Sequence, residues 1–102
     1  MFFILHGTGE LKIGESTYPV RPGDVIACPP GGKELAHQIT NTGAEELRYL
    51  AVSTKISPEI CEYPDSGKFG ILADLAPDPD GKPKRFMYVG RESGSIDYWE
   101  GE

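Results

Sequence analysis

The sequence is short of histidine, cysteine and basic residues, and each shortage narrows the chemistry open to it. There are two histidines, His6 and His37. A transition-metal site takes several converging ligands, so histidine alone does not supply one. The two cysteines, Cys28 and Cys61, make no disulfide framework. Free cysteine is usually a small buried hydrophobe, and that is the expectation for both. Lys and Arg number 10 against 16 Asp and Glu, giving a formal net charge of −6. Such a field repels phosphate backbones and anionic lipid. No Lys/Arg cluster overrides it, so neither nucleic acid nor a membrane surface is an expected partner. No apolar run is long enough to span a bilayer. Met1 to Leu5 is apolar but lacks a basic flank and meets His6-Gly7 too soon for a secretory signal, so a cytoplasmic protein is expected.

Helical periodicity is also missing from the first 55 residues. Short runs separated by turn residues stand in its place. Phe2 to Leu5 is followed by Gly7-Thr8-Gly9. Glu10 to Ile13 alternates polar and apolar, as a half-buried strand does. Gly14-Glu15-Ser16 turns, and Thr17 to Val20 alternates again, with Pro19 restricting it to an edge or an outward position. Arg21-Pro22-Gly23-Asp24 has the chemistry of a type II turn. Val25 to Cys28, His37 to Thr40 and Leu47 to Thr54 complete the set. This spacing predicts an antiparallel all-β sandwich or barrel. Within Phe2–Leu5, Phe3 and Leu5 share one face and Phe2 and Ile4 the other. A strand apolar on both faces is buried on both, which predicts a homodimer in a chain with little area to spare.

The second half reads differently. Ser57 to Tyr63 predicts a short helix, with Ser57 capping and Pro58 at the first position. Phe69 to Leu75 is apolar and ambiguous. Ala76 to Lys84, rich in Pro and Asp, predicts an exposed loop. Phe86 to Val89 predicts a late strand. The Tyr98-Trp99 pair predicts a tail that docks. The 102 residues are expected to form a single domain, with a barrel core over 1–55 and an extension over 56–102.

Several of these segments resemble the cupin superfamily. The residues are Phe2 through Leu11, Tyr18-Pro19-Val20-Arg21-Pro22-Gly23-Asp24, Pro29-Pro30-Gly31, His37 and Asn41. The second cupin motif has the form G-x5-P-x-G-x2-H-x3-N. Gly23, Pro29, Gly31, His37 and Asn41 match it, with three extra residues between Gly31 and His37. The segments around Tyr63 and Trp99 look like those of small bacterial cupins of unassigned activity. The resemblance implies a double-stranded β-helix, or jelly roll. The first cupin motif, G-x5-H-x-H-x3,4-E-x6-G, closes on Gly7, so its two histidines and its glutamate would fall ahead of Met1. The resemblance thus implies an N-terminally shortened barrel in which His37 alone carries over as a metal ligand.

His37 is either a surviving ligand or a polar residue in the barrel mouth. Alternation sets it on one face with Ile39 and Asn41, where Asn41 suits closure of the following turn. His6 shares parity with Phe2 and Ile4 and is a secondary metal candidate. Glu34 is either a rim ligand or a solvated loop charge. Tyr63 and Tyr98 are candidates to line a pocket, or else core anchors. Asp78, Asp80 and Glu100 read as solvated. Gly7-Thr8-Gly9 is no nucleotide fingerprint and Asp65-Ser66-Gly67 no nucleophile elbow. Three functions fit: a cupin binding a small sugar-like or carboxylate ligand; a metal-dependent isomerase or dioxygenase holding a divalent transition metal; or a dimeric interaction module. Cupins host all three kinds, so the fold does not choose among them.

Overall fold

The computed structural model describes residues 1–102. It contains nine strands and two single 3-10 turns. The chain divides into two compact units, Met1–Lys55 and Ile56–Glu102.

The first unit holds β1 (Phe2–His6), β2 (Gly9–Ile13), β3 (Ser16–Val20), β4 (Val25–Ile26), β5 (His37–Asn41) and β6 (Arg48–Ala51). They form two antiparallel sheets with the orders β4-β1-β6 and β3-β2-β5. The chain therefore changes sheet after β1, after β3 and at each later connection, which gives the crossing connectivity of a jelly roll. The inner faces share one core. Ile4 and Ile26 from the first sheet and Leu11 and Val20 from the second are buried, with Phe2, Ile13, Cys28, Ile39 and Leu47 packed around them.

Two glycines make the sheet changes possible. Gly7 has φ +82, and a Cβ there would run into the Glu46 carbonyl. Gly23 has φ +91 at the third position of the predicted type II turn, a place that calls for positive φ. The Asp24 N–H closes that turn onto the Arg21 carbonyl at 3.2 Å. The Asp24 carboxylate accepts from the Arg21 N–H at 2.9 Å. The turn is stitched to the middle of β1, since the Ile4 N–H donates to Asp24 and the Ile4 carbonyl accepts from Gly23, both at 2.9 Å. Between Ile4 and His6 the β1–β6 register shifts, leaving Leu5 as a bulged residue.

The outer faces of the two sheets differ. On the second sheet, Glu10, Lys12, Thr17, Pro19, Gln38 and Thr40 alternate with the buried positions, giving a polar, exposed face. On the first sheet, Phe3 lies opposite both Val25 and Leu50, and all three are exposed. The expected burial of β1 on both faces holds for Phe2 and Ile4 only. Phe3 and Leu5 remain open to solvent within the chain.

The second unit is a three-stranded antiparallel meander, β7 (Glu59–Tyr63), β8 (Lys68–Leu75) and β9 (Lys84–Gly90), with β8 central. Residues 57–63 thus depart from the expected helix. The alternating Glu59 to Tyr63 finds a full ladder on β8, from Glu59↔Leu72 to Tyr63↔Lys68. Ser57 does not cap a helix, because its Oγ accepts the Asp74 N–H at 2.8 Å. Phe69–Leu75, ambiguous in sequence, is the strand the other two depend on. The loop before β9 is exposed and closed by its own backbone, with Gly81 N–H donating to the Asp78 carbonyl at 2.8 Å. Asp78 and Asp80 face Lys84 and Lys82 in exposed ion pairs, which contribute little stability. The tail departs from the expected docking. Tyr98 and Trp99 are 81% and 73% exposed, and their rings meet each other edge to face at 4.8 Å.

The first unit rests on few buried side chains, so each one matters. Ile4→Ala should lower unfolding free energy by about 2–5 kcal/mol, whereas Thr40→Ala on the polar face should change it by less than about 0.5 kcal/mol. Urea titration of both variants measures the difference, and equal midpoints would contradict the core described.

Candidate functional site

The residues that gather at one end of the first unit are His37, Phe2 and Tyr49. His37 opens β5 and pairs with Ile13, while Ile39 pairs with Leu11 and Asn41 with Gly9. That register turns His37, Ile39 and Asn41 toward the interior of the sandwich. Tyr49 lies opposite Ile4 on β6 and faces inward with it. Phe2, half-buried, lies between the two polar rings. Its centroid is 5.5 Å from His37 and 5.6 Å from Tyr49, both edge to face. Neither ring nitrogen of His37 is hydrogen-bonded within the chain, and the side chain is exposed. The arrangement is an apolar floor flanked by two groups that can exchange hydrogen bonds with a solute.

Glu34 bonds elsewhere. It lies in the 3-10 turn Lys33–Leu35, formed where the chain has its extra residues between Gly31 and His37. Its carboxylate turns back to accept the Gly32 N–H at 3.1 Å, the ordinary use of an acid beside free backbone donors. His6 lies elsewhere. Its Nδ1 is 2.8 Å from the Glu46 carbonyl and its Nε2 is 3.4 Å from the Glu45 carboxylate. The Glu45 main-chain carbonyl in turn accepts the Asn41 side-chain N–H at 2.8 Å, so His6 belongs to the Asn41 end of β5 and His37 to the other. A five-residue strand rises roughly 13 Å between its terminal residues, so the two imidazoles are not brought to one ion.

Asn41 closes the turn between β5 and β6. Besides its bond to Glu45, its Oδ1 accepts the Gly43 N–H at 3.0 Å. Tyr63 and Tyr98 belong to the second unit. Tyr63 ends β7, with the Lys68 ammonium 5.5 Å from its ring centroid, and Tyr98 meets Trp99 edge to face. Both cysteines are half-buried and free. Burial, and then the negative charge of Glu59, push the Cys61 thiol above its ordinary value.

Across residues 1–102 no three His, Cys, Asp or Glu side chains stand together in a way that could hold an ion. These residues do not fit a metal centre by themselves. No helix is long and apolar enough to cross a membrane.

The two crossing sheets, the turn at Gly23 and the inward His37 define a cupin-type sandwich, and comparison with known proteins agrees. A family model described as a cupin domain matches residues 1–53, which span β1 to β6. The chain belongs to the cupin family. No curated protein and no solved structure matches it.

Two outcomes follow. Asn41→Ala removes both bonds that close its turn and should cost about 1–3 kcal/mol of stability, read by thermal or urea unfolding. A loss near zero would mean the turn closes without it. For Cys61, alkylation by iodoacetamide, followed peptide by peptide in mass spectra, should reach half-maximal rate at a higher pH than free cysteine does. Glu59→Gln should shift that midpoint downward. A midpoint at or below that of free cysteine contradicts the assigned environment.

Proposed function

We propose that this cupin binds a small polar solute, sugar-like or a carboxylate, at the mouth of the sandwich formed by His37, Phe2 and Tyr49. The observation that supports the reading is the state of His37. It is a polar side chain on an inward-facing strand position, held by the edge of Phe2 with its ring nitrogens uncommitted. Small-molecule sites combine an apolar wall with a few convergent polar groups. Phe2 supplies the wall, and His37 and the Tyr49 hydroxyl supply the polar groups. A sugar suits this set, since its apolar ring face packs on an aromatic while its hydroxyls exchange hydrogen bonds. A carboxylate would take its hydrogen bond from the imidazole.

The test is titration of the isotopically labelled protein with a neutral hexose and, separately, with the corresponding uronic acid, followed by amide chemical shifts. The expected result is saturable change at Phe2, His37 and Tyr49 with either solute. His37→Ala should weaken the affinity about tenfold, the worth of roughly 1.4 kcal/mol of hydrogen bonding. Absence of saturable shifts with both solutes, or shifts confined to other residues, would sink the reading.

A further inference from the structure

Tyr98 and Trp99 are the most exposed aromatic rings of the chain, yet the backbone that carries them is closed by successive turns. The Asp97 carboxylate accepts the Trp99 N–H at 2.8 Å. The Glu100 N–H donates to the Asp97 carbonyl and the Glu102 N–H to the Trp99 carbonyl, both at 3.1 Å. Gly101, at φ +84, takes the backbone conformation that the second of these turns needs. Just upstream, the Ser95 N–H donates to the Glu92 carbonyl at 2.9 Å. The two rings stand at 87° to each other with their centroids 4.8 Å apart. In an edge-to-face pair, the ring that offers its edge keeps both of its own faces open. The ring that receives the edge keeps the part of its face beside the contact. The pair therefore forms a right-angled corner walled by two π-faces.

We infer that this corner binds a trimethylammonium group, the chemistry that choline and trimethyllysine share. The rings select the class of ligand. The face of an aromatic ring carries negative quadrupole density and attracts a cation within about 6 Å of its centroid. A cation seated in the corner lies over one face and beside the other, so it collects attraction from both rings. A sugar would need a flat platform to stack on, which perpendicular rings do not offer. An alkali cation or a plain ammonium holds its water strongly, and an exposed ring pair cannot replace that hydration. A trimethylammonium group has no N–H to leave unpaired, and its methyl surface packs on the ring faces. The local charge has the matching sign. Residues 92–102 contain Glu92, Asp97, Glu100 and Glu102 and no Lys or Arg, and Asp97 and Glu100 flank the rings on either side. An anion is repelled there, and an organic cation is drawn in. The rings belong to the second unit, so this site stands or falls independently of the solute proposed for His37.

Trp99 is the only tryptophan, so its fluorescence reports this site directly. The full chain is titrated at constant ionic strength with tetramethylammonium chloride, choline chloride and Nε-trimethyl-lysine amide, and with ammonium chloride as control. The three trimethylated cations should change the emission saturably, with dissociation constants on the order of 10 mM. Ammonium should give no saturable change. The tighter of choline and trimethyl-lysine identifies the source of the group. Tyr98→Ala should weaken binding about fivefold, the worth of one exposed cation–π contact, while Tyr98→Phe keeps the ring face and should bind like the parent. Glu100→Gln should weaken it about twofold, and the affinity of the parent should fall as sodium chloride is raised. Because both rings are exposed, circular dichroism of these variants should match the parent. The inference is overturned by no saturable change with tetramethylammonium up to ~100 mM. An equal response to ammonium, or a Tyr98→Ala variant that binds like the parent, also overturns it.

Discussion

The first unit depends on a single residue position in the middle of β1. Ile4 is the one fully buried large side chain. Its backbone is bonded on one edge to the Gly23–Asp24 turn, and it lies opposite Tyr49 on the other. Burial of its side chain and satisfaction of its N–H and C=O are therefore the same event. A buried peptide group without partners costs free energy comparable to a lost hydrogen bond, and the only partners in reach come from the type II turn. That turn exists because Gly23 tolerates φ +91. Gly7 lets β1 leave the sheet past the Glu46 carbonyl, so the exit from the strand and the turn bonded to its middle both rest on backbone geometry that only glycine accepts readily.

This dependence explains what the sequence made legible. Turn chemistry and strand alternation are local, and they identify β1, β2, β3 and β5 closely, together with the type II turn and the role of Asn41. The errors fall where a non-local partner decides. Ser57 and Pro58 are good helix openers, yet Ser57 Oγ serves Asp74, seventeen residues away. β7 forms because β8 offers it a ladder. Leu47 to Thr54 reads as a long strand, but β6 spans only Arg48–Ala51, the stretch that β1 pairs from His6↔Arg48 to Phe2↔Ala51. The exposed Tyr98-Trp99 pair was misjudged for the same reason, as hydrophobicity alone does not say what a ring will meet.

The candidate site divides the same way. Parity along β5 sufficed to turn His37 inward, and the cupin pattern singled it out. Phe2 and Tyr49 were missed, although both lie on recognised strands. Their convergence on His37 requires the register of β1 on β6 and the packing of one sheet on the other, neither of which is written in local periodicity. Glu34 and His6 are the converse. Both looked like donors, and both are engaged by nearby backbone, Glu34 by Gly32 and His6 by the Glu46 carbonyl. A polar side chain set beside an unpaired main-chain group is taken up by it before it is available to a ligand.

What remains is a sandwich whose three accessible faces have different characters. The second sheet's outer face is polar and alternates as a solvated strand surface should. The mouth at His37 mixes one apolar ring with two hydrogen-bonding rings, a composition suited to a solute that must be both packed and oriented. The first sheet's outer face is apolar throughout its centre, although β1 could have carried polar residues at positions 3 and 5 without disturbing Ile4. Those positions make no contribution to the core, and the hydrocarbon they leave exposed is exposed in the unfolded chain as well, so it neither adds to nor draws on the folding free energy. The four buried side chains of the unit therefore carry its stability without help from the outer face of the strand that supplies the most buried of them.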